Sequence, residues 1–84
     1  MGSRAKILDQ VLRGRSDANI SFRDLCNLMR ALGFDERTSG GHRIFRKSGV
    51  RELINLQKEG SNAKPYQVRQ VRRIILEYNL AGET

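Results

Sequence analysis

The sequence predicts a small α+β domain of order ααβββα, in which a three-stranded antiparallel sheet is packed with helices. Three observations predict it. Apolar residues recur at helical spacing as far as Leu32. Short strand-like runs separated by glycines then occupy residues 34–57. Helical spacing returns after Pro65. With 84 residues there is room for one domain and no second one.

The first helix is expected over about Arg4–Arg13, with Ile7, Leu8, Val11 and Leu12 on one stripe and Gly14 as its stop. Arg15–Asn19 is polar and reads as a loop. A second helix runs from about Phe22 to Leu32, with Ser21 as N-cap and Asp24 three residues on, a variant of the capping box. Ile20 and Leu25 occupy the positions of a hydrophobic staple. Gly33 suits the left-handed position that ends a helix, and Phe34 can fold back onto Met29.

Strands are expected at Phe34–Thr38, His42–Lys47 and Val50–Gln57, separated by Ser39-Gly40-Gly41 and by the turn Ser48-Gly49. Short turns between adjacent strands require an antiparallel meander. Lys58–Ala63 reads as a polar loop. The last helix, about Lys64–Tyr78, carries Pro65 in its first turn, where a missing N–H costs nothing. Val68, Val71, Ile74, Ile75 and Tyr78 gather on one side of it. Arg69, Gln70 and Arg73 gather on the other, with Arg72 at the edge of the apolar stripe.

Sixteen Lys and Arg against nine Asp and Glu give a net charge of +7. Residues 1–42 contribute +2 of this and residues 43–84 contribute +5. A field of that sign draws in polyanions and weakens with salt, so a nucleic acid is the first expected partner. An acidic protein surface and an anionic membrane are the others. Only 6% of residues are aromatic, so the core must be mainly aliphatic. The single Cys26 excludes an internal disulfide, and with His42 alone it cannot build a four-ligand zinc site. Cys26 falls on the apolar side of a helix and reads as a small core residue. No apolar run is long enough to span a bilayer and no signal-peptide core is present, which makes the cytoplasm the expected location. The acidic residues are scattered, so neither a catalytic metal nor another cofactor is expected.

His42 is the only histidine. It follows Gly40 and Gly41, opens a strand, and is close in sequence to Arg43, Arg46 and Lys47. Small residues before it let a phosphate approach the backbone. Imidazole titrates near neutrality and can take a proton from a ribose 2′-hydroxyl or give one to a leaving oxygen. The neighbouring cations would stabilise charge at a pentacovalent phosphorus. The plainer reading is an ordinary surface or turn histidine.

The run LGFDERTSGGHRIF resembles the signature of HicA toxins: a helix ends in Gly-Phe, and a glycine-serine-histidine turn starts the next strand with an aromatic soon after. Leu32-Gly33-Phe34, Gly40, His42 and Phe45 carry the match. Gly41 stands where the family usually has serine, and Asn55-Leu56-Gln57 stands where many members have a second histidine. INLQ and KPYQVRQVRRII downstream resemble a HicA subgroup with an extra N-terminal helix. The resemblance covers about residues 20–80, leaving residues 4–19 as the extra helix and loop and residues 1–3 as an expected expression scar. It implies a double-stranded-RNA-binding-like fold, a ribonuclease acting on mRNA, neutralisation by a HicB-type antitoxin, and a catalytic role for His42.

Lys64, Tyr66, Gln67, Arg69, Gln70, Arg72 and Arg73 form a second constellation, expected to track phosphates with the amides and Tyr66 near sugar or base edges. Otherwise it is a solvated helix face. The expected function is therefore a metal-independent endoribonuclease with His42 as general acid or base. The alternatives are a non-catalytic RNA-binding module of the same fold and a basic protein-interaction module. DNA binding through the two N-terminal helices is weaker, because their joining loop is long for a helix-turn-helix.

Overall fold

A computed structural model describes residues 3–83, so Met1 and Gly2 of the expected scar lie outside it. Helix α1 spans Ser3–Arg13, α2 spans Phe22–Ala31 and α3 spans Pro65–Glu77. Between α2 and α3 lie β1 (Asp35–Ser39), β2 (His42–Arg46), β3 (Ile54–Leu56), β4 (Lys58–Glu59) and β5 (Asn62–Ala63). Strands β1, β2 and β3 form an antiparallel meander with β2 in the centre. The expected class, α+β with a three-stranded antiparallel sheet, is the one observed.

Helix α2 is built by its own ends. The Ser21 hydroxyl accepts the Asp24 N–H at its start, and Ile20 and Leu25 are both buried there. At its close, Phe34 N–H bonds Met29 C=O and Gly33 N–H bonds Arg30 C=O, the paired geometry of a Schellman motif. That motif needs Gly33 at φ +92°, and it seats Phe34 in the core. Because the Phe34 N–H is spent on α2, β1 begins at Asp35, one residue later than expected.

Two expectations are corrected. The expected strand Val50–Gln57 pairs only over Ile54–Leu56. Its first half bonds elsewhere: Val50 N–H turns back to Lys47 C=O, and Arg51 N–H goes to the Tyr78 hydroxyl. The expected polar loop at residues 58–63 is a small hairpin of β4 and β5, turning at Gly60 with φ +67°. It docks on the entry to α2, where Ala63 N–H bonds Ile20 C=O and Phe22 N–H bonds Ser61 C=O. Two-residue polar strands leave no periodicity to read, and the α2 entry on which the hairpin docks is distant in sequence.

Alternation divides the sheet into two faces. Phe45, Ile54 and Leu56 are fully buried beneath the helices. Arg37, Arg46 and Asn55 lie exposed on the opposite face, with His42 and Ile44 half-buried among them. The core draws on all three helices: Ile7 and Val11 of α1, Leu25, Leu28 and Met29 of α2, and Val68, Val71, Ile74 and Ile75 of α3. Ile7 and Val11 of the N-terminal helix are thus part of the core. Cys26 sits in this core as expected, and burial foremost pushes its thiol up, away from nucleophilic use. No helix among the described residues is long and apolar enough to cross a membrane.

Candidate functional site

The glycine turn presents His42. Ser39 and His42 close a two-residue hairpin loop in which Gly40 takes φ +60°, a conformation that suits glycine. Gly40 and Gly41 face open space: a side-chain carbon built at either would touch nothing. The turn is set by hairpin geometry, and its outer surface is clear.

His42 is held by Asn55 of β3 and by Gln57, the residue that follows that strand. Its Nδ1 lies 3.0 Å from Asn55 Oδ1, and its Nε2 lies 3.1 Å from Gln57 Nε2. Lys64 Nζ donates to Gln57 Oε1 at 3.3 Å. Asn55 and Gln57 flank buried Leu56, so alternation turns both toward the open face that carries His42. Sequence reasoning passed over both amides. The signal that could have found them is their spacing of two, on a strand adjacent to the histidine.

Gln67, expected at an RNA surface, is only 2% exposed. Its Oε1 accepts Gln57 N–H at 2.9 Å and its Nε2 donates to Asn55 C=O at 2.8 Å. The side-chain amide thus acts as a one-residue strand on the outer edge of β3, satisfying ladder groups that would otherwise be unpaired. Gln67 is a strut that fixes the backbone of both His42 partners.

The expected cations divide. Arg43 is on the helix-side face of the sheet, opposite to His42, and pairs with Glu36 at 2.7 Å. Glu36 also takes Arg30 of α2 at 2.7 Å, and these two guanidinium groups, Arg30 foremost, hold its carboxyl at about 2. Arg46 shares the open face with His42 but lies four residues along the strand, roughly 13 Å away at strand rise. Lys47 places its ammonium over Gly33, at the C-terminal end of α2, where a cation is favoured. Arg72 is turned inward: it pairs with Asp17 at 2.9 Å and donates to Val11 C=O at the end of α1. Position at the edge of the apolar stripe was the clue to this, and the RNA-facing expectation for Arg72 gives way to a structural one. Arg73 bridges Glu52 and Glu77. The Tyr78 hydroxyl foremost, with Arg73 adding, holds the Glu52 carboxyl below the usual range. Gln70 is half-buried.

Lys64 is half-buried just before α3, and Tyr66 and Arg69 lie exposed on the first turns of that helix. Tyr66 is 55% exposed, and Arg69 is exposed with no ion pair among the described residues. Beside the glycine turn, on the sheet face that carries Arg43 rather than His42, runs a groove of about 370 Å³ bounded by Phe22, Thr38, Gly40, Gly41, Arg43, Gln57 and Lys58. Among the described residues, no three His, Cys, Asp or Glu side chains stand together as a metal site.

The arrangement offers one imidazole on an open surface with a defined hydrogen bond at each nitrogen and an ammonium one amide away. Comparison with protein-family models, curated proteins and solved structures gives no match.

Proposed function

We propose that this chain is an endoribonuclease of the HicA toxin type, with a double-stranded-RNA-binding-like fold. It cleaves mRNA in the cytoplasm and is silenced by a HicB-type antitoxin that covers its basic face. The observation that carries the reading is His42 on the open sheet face, held between Asn55 and Gln57 with Lys64 next in line. The net charge of +7 supports it.

In this reading a ribose 2′-hydroxyl gives its proton to the imidazole, and its oxygen bonds the adjacent phosphorus as the P–O5′ bond breaks. The 5′-oxygen takes a proton from water, leaving a 2′,3′-cyclic phosphate and a 5′-hydroxyl. Lys64 is the cation placed to meet the developing phosphorane charge. Arg43 belongs to a carboxylate clamp instead.

His42→Ala is the test. It should abolish RNA degradation and growth inhibition while leaving fold and RNA affinity near the original, since affinity comes from Lys and Arg. Cleavage should persist in excess EDTA. Wild-type cleavage rates in a purified His42→Ala protein would falsify the catalytic role.

A second reading is favoured by one observation. Both ring nitrogens already have partners, as in a histidine with a purely structural post. An RNA-binding module without catalysis would then bind RNA on its basic surface and leave it intact.

A further inference from the structure

The polar chain around His42 has a direction. An ammonium can only donate, so Gln57 Oε1 must face Lys64 and its NH₂ must face the ring. An NH₂ group can only donate as well, so His42 Nε2 must be the lone-pair nitrogen and Nδ1 must bear the hydrogen given to Asn55 Oδ1. Gln67 bonds the backbone of both positions, which fixes where each side chain starts. Lys64 therefore dictates the tautomer of a ring that it does not touch.

We propose that Gln57, oriented by Lys64, is the positioning residue that fixes His42 as the Nδ1–H tautomer and covers Nε2, and that a phosphate binding Lys64 withdraws this cover. The second half rests on the ribonuclease reading. An anionic phosphate oxygen is a stronger acceptor for the ammonium than a neutral amide oxygen, because the bond is charge-assisted on both sides. Once Lys64 turns to phosphate, Gln57 loses the partner that held its amide. A ribose hydroxyl then takes its place at Nε2. The base is hidden in the free protein and uncovered where a phosphate is already seated. Lys64 stands immediately before Pro65, half-buried at the start of α3.

The test is the tautomer itself. His42 is the only histidine, so imidazole signals of protein labelled with ¹⁵N-histidine assign themselves. At mildly alkaline pH, two-bond ¹H–¹⁵N spectra should show Nδ1 protonated and Nε2 bare. Gln57→Leu and Lys64→Met should each shift that pattern toward a mixture of tautomers, and Lys64→Arg should restore it, with dispersed amide spectra verifying the fold. A deoxyribo-oligonucleotide, which has phosphates but no 2′-hydroxyl, should move the Nε2 signal in the wild type and not in Lys64→Met. A wild-type ring protonated at Nε2 overturns the proposal, whichever variants fold. So does a tautomer unchanged in both Gln57→Leu and Lys64→Met, or an oligonucleotide response that persists without Lys64. If the full pattern holds while RNA stays intact, the positioning stands and the ribonuclease reading falls.

Discussion

A single side-chain amide, that of Gln67, decides whether His42 has fixed neighbours. Gln67→Leu keeps nearly the same volume but strands Gln57 N–H and Asn55 C=O at the edge of β3. Each orphaned group costs on the order of 1–3 kcal/mol, less where water can reach it. Urea unfolding should therefore show a loss of about 2 kcal/mol, with broadened His42 signals. An unchanged midpoint would mean that water replaces the amide and that the strut is dispensable. Gly41 bears differently on function, since open space surrounds it and its φ lies outside the strained region. The turn would accept the serine that HicA toxins usually carry.

Between elements, charged side chains join what apolar contacts alone would leave to slide. Glu36 of β1 ties Arg30 of α2 to Arg43 of β2. Its carboxyl titrates at about 2 in the fold against an ordinary 4.5. A depressed carboxylate contributes stability above its unfolded pKa and loses it as pH falls through the folded value. Stability should thus decline between pH 4.5 and 2, and Glu36→Gln should flatten that decline in thermal unfolding. An identical acid profile in the variant would remove Glu36 from the explanation. Arg72 joins α3 to α1 and to the turn at Asp17. Arg72→Ala should cost about 1–3 kcal/mol in urea unfolding, through the cation's lost hydrogen bonds and an unpaired Asp17. RNA affinity of the folded fraction should not change. A selective loss of RNA binding would return Arg72 to the interface.

At the scale of the whole molecule the relevant quantity is the field of seven excess positive charges. RNA binding should weaken steeply between low and physiological salt, because each phosphate contact releases counterions. The fold grades the contributors. Arg69 is exposed with no ion pair among the described residues, whereas Arg73 already bridges two carboxylates. Filter binding across a salt series should show Arg69→Ala reducing the slope more than Arg73→Ala. Equal slopes in wild type and both variants would move the RNA surface off α3.

The ends of α2 were legible from residues 20–34 alone, since the Ser21 cap and the Gly33 and Phe34 bonds that close the helix join positions no more than five apart. Pro65 marked the start of α3 for the same reason: the constraint is local to the backbone. His42 could be singled out because its chemistry is unique in the chain. Its surroundings could not be, because Asn55 and Gln57 meet the ring, and Lys64 and Gln67 meet those two, only after β3 and α3 have returned to β2. The reversal of Gln67 from surface contact to buried strut has the same origin. Helical periodicity assigns an amide to the polar side, but only the strand edge laid against α3 supplies the two backbone groups that make its burial favourable.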